Sequence, residues 1–100
     1  MNNQPAILYR ESNENIEIDV IAAPNWDNFD SLRLFLEQHF QAETTNQLDG
    51  PGSRICNLII DGHSFKLVHD DAYGNYISTT AKGKSITRRI ARELEVRLYL

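Results

Sequence analysis

The side chains that could act as acids, bases or metal ligands gather at His63, His69, Asp70 and Asp71. A histidine directly before an aspartate, as in His69-Asp70, resembles the pair used by some metal-dependent phosphohydrolases, so a hydrolase is the second alternative function. Both histidines fall on one predicted strand, where six residues span about 20 Å at 3.3 Å per residue. Since each ligand of a metal ion lies about 2 Å from it, these two cannot share an ion. We therefore expect no catalytic residue, no metal and no cofactor.

A second pattern that could carry out a chemical function is Gly83-Lys84-Ser85, which lies between a predicted strand and a predicted helix. A phosphate-binding loop also needs a glycine five residues before Gly83, where the backbone wraps the phosphate. That position is Ser78, inside a strand, and the preceding segment is a meander rather than a parallel strand–helix–strand unit. We interpret the segment as a glycine turn followed by Ser85 as a helix N-cap.

The chain has a single cysteine, Cys56, which excludes an intramolecular disulfide and a cysteine-rich metal site. Cys56 falls in the middle of a predicted strand, where a cysteine usually packs as a small apolar side chain. Only Arg54, two residues away on the same face, favours a reactive thiol.

Charge is distributed unevenly along the chain. Residues 82–97 hold six cations and two anions, whereas the whole chain has a net charge of −4. Arg88, Arg89 and Arg92 lie on the polar side of the predicted C-terminal helix, and such a patch can meet nucleic-acid phosphates. Association with nucleic acid through this helix is the first alternative function. The acidic body and the lack of interleaved aromatic residues argue against it, so we do not expect nucleic acid as a partner.

The elements that must position these residues follow from apolar periodicity. Residues 16–20 alternate as in a half-buried strand, and residues 26–40 and 85–98 carry apolar stripes at helical spacing. Residues 7–10 and 42–48 are weaker strand candidates. The predicted fold is α+β in the order (β)-β-α-β-β-β-β-α, an antiparallel sheet of four to five strands with two helices on one face.

The clearest segment is a hairpin whose two strands, 54–60 and 63–69, meet at the turn Asp61-Gly62. A two-residue turn aligns four pairs on one face: Ile60 with His63, Leu58 with Phe65, Cys56 with Leu67, and Arg54 with His69. The other face also carries apolar residues, among them Ile55, Ile59 and Val68. The hairpin is therefore expected to be central in the sheet, or to meet a second subunit with one face.

Length and composition bound the class of protein. The 100 residues suit one domain, 1–100, with residues 1–6 expected to be disordered. The N-terminus lacks a secretory pattern and no stretch approaches 18 apolar residues, so we expect no contact with a membrane and a cytoplasmic location.

The stretch 48–80 resembles a small bacterial family of single-domain proteins of unknown function, a DUF3630-like family. The residues that carry the resemblance are turn and strand signals: Asp49-Gly50, Cys56-Asn57-Leu58, Gly62-His63, Leu67-Val68-His69-Asp70 and Gly74-Asn75-Tyr76-Ile77. The resemblance implies a bacterial cytoplasmic protein and supplies no catalytic residues.

The leading hypothesis is a non-enzymatic protein-interaction module that forms a homodimer. Large exposed apolar patches mark contact surfaces, and two-fold dimers are the commonest assemblies. The expected interaction residues are Trp26 and Leu34, together with Arg88, Arg89 and Arg92 on the last helix.

Overall fold

The computed structural model describes residues 5–98, which form six strands and two helices. The elements in chain order are β1 (Leu8–Glu11), β2 (Asn15–Asp19), α1 (Trp26–His39), β3 (Glu43–Gly50), β4 (Ser53–Ile60), β5 (His63–Asp70), β6 (Gly74–Thr80) and α2 (Lys84–Leu98). A single 3-10 turn, Ala81–Gly83, leads into α2.

The strands form one antiparallel sheet in the order β1-β2-β6-β5-β4-β3. The α+β class is confirmed, but the expected count of four to five strands is wrong, because the sheet has six. The two weaker strand candidates both form, and they are the edge strands β1 and β3. Edge strands bury little, so their sequences need no apolar alternation, and β3 is exposed at every residue except Thr44.

The register of the β4–β5 hairpin is as predicted. Ile60 pairs with His63, Cys56 with Leu67, and Arg54 with His69. Asp61 has φ 49° and Gly62 has φ 79°, the two positive values that a type I′ turn requires. The turn type and the alternation of side chains together determine this register.

Both helices pack on the same face of the sheet. The stripes Phe29, Leu32, Leu36 of α1 and Ile86, Ile90, Leu94 of α2 are buried in one apolar cluster with the inward residues of four strands. Those inward residues are Ile18, Ile77, Phe65, Leu67, Cys56, Leu58 and Ile60. The other face of the sheet has no helix over it among the described residues.

Two local expectations are corrected. Ser85 is not an N-cap, because α2 begins at Lys84 directly after the 3-10 turn, and Thr87 Oγ1 instead donates to the Gly83 carbonyl at 2.7 Å. Residues 1–4 lie outside the described part of the chain. Ala6 was expected to be disordered, yet it is buried and its carbonyl accepts a hydrogen bond from the Ala22 N–H.

Candidate interaction surfaces

The uncovered face of the sheet, here called the open face, carries a row of apolar side chains across four neighbouring strands. Tyr76 pairs with Val68, Val68 with Ile55, and Ile55 with Leu48, so these four lie side by side. We call them the apolar row. Val68 is only 8% exposed, whereas Leu48 at the edge is 59% exposed. Burial raises the pKa of the Tyr76 phenol, and nearby carboxylates raise it further.

The line of paired residues that contains the apolar row extends onto β2 and β1, where it includes one carboxylate, that of Asp19. Tyr76 pairs with Asp19, and Asp19 pairs with Leu8, which is 44% exposed. Arg10 lies 2.8 Å from the Asp19 carboxylate and 2.9 Å from Glu17. This line has one residue on each of the six strands, and its single carboxylate, Asp19, is paired with Arg10.

A polar groove of about 490 Å³ lies beside the apolar row. Ser78, Lys66, Asn57 and Asn46 pair in succession across its floor. Ile59, 36% exposed, lines the same groove. The open face is thus half apolar and half polar.

The exposed edge of the sheet at β3 is interrupted. The pairing of β3 with β4 shifts register between Thr44 and Asn46, which marks a β-bulge. Bulges and charged side chains such as Glu43 and Asp49 are features that keep edge strands from pairing with other chains. The face of this sheet is consequently a better contact surface than its edge.

Trp26 and Leu34, the two apolar residues of α1 expected to make contacts, are both exposed but differ in their packing. Leu34 is 46% exposed and points away from the core. Trp26 is 40% exposed, but its ring also packs inward, with the Arg54 guanidinium 4.6 Å from its centroid and the His69 ring edge-on at 4.7 Å. One side of the Trp26 ring therefore packs α1 against the sheet, and the rest of the ring remains exposed.

Arg54 anchors this corner of the molecule. Its guanidinium makes two hydrogen bonds to Asp49, at 2.7 and 3.1 Å, and lies 3.6 Å from Asp30 at the start of α1. The hydrogen bond to Asp49 is the largest influence raising the pKa of Arg54. The contacts hold β3, β4 and α1 together at one end of the sheet.

His69 is buried and both of its ring nitrogens contact oxygens of its own chain. Nδ1 lies 2.8 Å from Asn75 Oδ1, and Nε2 lies 2.8 Å from Asp71 Oδ1. The amide of Asn75 is oriented by its Nδ2, which donates to the carbonyls of Ala23 at 2.8 Å and Asn25 at 3.0 Å. Both neighbours of the imidazole are thus acceptors, which leaves no ring nitrogen directed at a substrate.

Asp70, the partner that a hydrolase would need beside His69, uses its side chain to stabilise the turn after β5. Its Oδ1 accepts the backbone N–H groups of Ala72 at 2.8 Å and Tyr73 at 3.3 Å. Its neighbour His69 points into the other face of the sheet, as alternation requires. The two side chains do not form a pair, so hydrolysis has the weakest geometric support of the three hypotheses.

Cys56 lies in the core beneath α1. It is fully buried, its Sγ is 3.9 Å from Thr44 Oγ1, and burial raises the pKa of its thiol. The hydrogen bond with Thr44 lowers the thiol pKa, but the larger effect of burial raises it and disfavours the thiolate that a nucleophile needs. Among residues 5–98, no three His, Cys, Asp or Glu side chains converge as a metal site would require.

The third surface is a groove of about 590 Å³ on the outer side of α2, here called the basic groove. Its lining consists of five cations and one hydroxyl: Lys82, Lys84, Ser85, Arg88, Arg89 and Arg92. Helical spacing places Lys84, Arg88 and Arg92 in one line, about 6 Å apart along the axis. The three arginines predicted as interaction residues are thus brought together, with two lysines from the helix start.

Carboxylates border the basic groove. Glu11 contacts Lys84 at 3.4 Å and Arg88 at 3.3 Å, and Asp61 contacts Arg89 at 3.7 Å. The hydrogen bond from Tyr9, at 2.6 Å, is the largest influence lowering the pKa of Glu11, followed by the charges of these two cations. Among residues 5–98, no carboxylate lies within 4 Å of Lys82 or Arg92.

Comparison of the chain with protein-family models, with curated proteins and with solved structures finds no match. The resemblance to a bacterial family accordingly stays a prediction. Within the described residues, neither helix has the length and apolar character needed to cross a membrane.

Proposed function

We propose that this protein is a non-enzymatic interaction module that pairs with a second copy of itself through the open face. The observation that carries the proposal is the apolar row, four apolar side chains adjacent on the sheet face that no helix within residues 5–98 covers. Since water contacts this face in the single chain, covering it releases apolar surface from water.

The size of the open face fits a two-fold pairing. The six strands have four to eight residues each, and at about 3.3 Å per residue and 4.8 Å between strands they give a flat area of roughly 600 Å². The side chains that project from the sheet add to this flat area. The accessible area is therefore close to the roughly 800 Å² that a standard dimer interface covers on each partner. Two sheets that pack in this way lie about 10 Å apart and interdigitate their side chains.

The chemistry of the face also favours a copy of the same surface. The carboxylate next to the apolar row, Asp19, is neutralised by Arg10 within its own chain, so pairing brings no bare charges together along the row. The bulged edge of β3 argues against a continuous sheet formed edge to edge.

The test is the solution mass of matched variants. Wild-type protein at micromolar concentration should scatter light as about twice 11.5 kDa. Leu48→Asp and Ile59→Asp place a charge on the open face, and Leu34→Asp places the same charge on the outside of α1 at comparable exposure. We expect the first two to be monomers and Leu34→Asp to remain a dimer, with unchanged circular dichroism for all three.

Two results would contradict the proposal. A wild-type monomer at high micromolar concentration would remove the dimer. Dissociation by Leu34→Asp alone would move the interface to α1, beside the exposed part of Trp26.

A further inference from the structure

We propose that the basic groove is a binding site for a compact, multiply charged phosphoryl ligand, a site separate from the open face. Five cations line one concave surface of about 590 Å³, within the range of about 300–1,000 Å³ typical of small-ligand sites. Arginine presents a planar set of donors that matches phosphate oxygens, and three of the five cations are arginines.

The groove retains an unneutralised positive charge. Lys84 and Arg88 share the single carboxylate of Glu11, and Arg89 has Asp61. Within residues 5–98, Lys82 and Arg92 contact no carboxylate, so the five cations face two anions. A formal charge of about +3 in a concavity attracts anions more strongly than the same charges on a convex surface.

The backbone that carries the lining is held in place before any ligand binds. Ile86 and Ile90 of α2 are buried in the core, on the opposite side of the helix from the groove. The Thr87 hydroxyl bonds to the Gly83 carbonyl, which joins the 3-10 turn carrying Lys82 to the first turn of α2. The exposed cationic side chains themselves must still be ordered when a ligand binds, so the fixed backbone reduces only part of the entropy lost on binding.

The border of carboxylates favours a compact ligand over a long polyanion. Glu11 lies on one side of the groove and Asp61 on another. These lie within a Debye length of about 8 Å of the cations, so a nucleic-acid backbone passing through the groove meets repulsion at its rims. A short phosphate chain fits inside them.

Among residues 5–98, no aromatic side chain lines the groove. A nucleobase would therefore find no ring to stack on, and the phosphoryl groups must supply the recognition. Inorganic triphosphate should consequently bind about as well as ATP, and both should bind more tightly than orthophosphate, which offers fewer charges.

The experiment is isothermal titration calorimetry of the full chain with inorganic triphosphate, ATP, orthophosphate and a short DNA duplex at physiological salt. We expect triphosphate to bind with a dissociation constant below about 1 mM and at least tenfold more tightly than orthophosphate. Arg92→Gln should weaken triphosphate binding about tenfold, the loss expected for one charge-assisted contact. Arg97→Gln removes the same charge from α2 outside the groove and should leave the affinity within about twofold of wild type.

Several outcomes would overturn the proposal. These are no heat and no thermal shift with triphosphate, equal weakening by the two arginine variants, or tenfold tighter binding of ATP than of triphosphate. Tighter binding of the duplex than of triphosphate would instead favour nucleic acid as the ligand. Glutamine is a good helix former and both arginines are exposed, so the variants should fold.

Discussion

Asn75 should be one of the most costly polar residues in the chain to replace. It is 2% exposed, and its side chain makes three hydrogen bonds that join β6 to the segment before α1 and to the imidazole of β5. Asn75→Leu keeps the branched shape and the number of heavy atoms of the side chain and removes all three hydrogen bonds. Two backbone carbonyls and the Nδ1 of His69 then lose their partner in a region with little access to water.

The magnitude follows from those three contacts. A typical hydrogen bond contributes about 1 kcal/mol net, and a buried partner left unsatisfied costs about 1–3 kcal/mol. The three together give a loss of about 3–5 kcal/mol, a large part of the roughly 5–15 kcal/mol expected for a domain. With a urea m-value of about 1–3 kcal/mol/M, the midpoint should fall by more than about 1 M.

Urea unfolding followed by circular dichroism at one fixed protein concentration measures this loss. The matched control is Asn28→Leu at the start of α1, away from the open face, where the half-buried amide accepts one hydrogen bond, from the Asn25 N–H at 3.1 Å. That variant should lose about 1 kcal/mol. If Asn75→Leu costs no more than Asn28→Leu, the polar cluster around His69 does not stabilise the fold more than a single hydrogen bond does, and the reasoning is wrong.

Two further predictions concern backbone geometry and thiol chemistry. Gly62→Val should destabilise by about 1–3 kcal/mol, because φ is +79° but the space around a Cβ is empty. Gly74→Val should cost more, since φ is +85° and the Cβ would also lie 3.0 Å from Pro24 Cβ; thermal unfolding ranks the two, and the reverse order would contradict the geometry. The Cys56 thiol should resist a disulfide reagent at pH 8 and react fully in denaturant, because its raised pKa and its burial suppress the thiolate; reaction of the folded protein at the rate of a free thiol would contradict its burial.

The sequence by itself determined the local elements of this protein. The helical stripes from Phe29 to Leu36 and from Ile86 to Leu94 predicted both helices, and the turn Asp61-Gly62 correctly predicted four pairs on one face of the central hairpin. These features depend on side-chain periodicity and on the φ angles that one turn demands, and both are readable from neighbouring residues. The line of cations on α2 is readable for the same reason.

Only the tertiary structure decided which distant residues meet. Trp26, Arg54, His69 and Asn75 converge through contacts between elements up to 50 residues apart, and no local pattern marks Asn75 as buried. The strands β1 and β3 were only weaker candidates in the sequence, because their hydrogen-bond partners lie on neighbouring strands that local patterns do not identify. Two helices on one face of the sheet were predicted from the sequence, but the strand order β1-β2-β6-β5-β4-β3 decided which side chains lie next to one another on the open face.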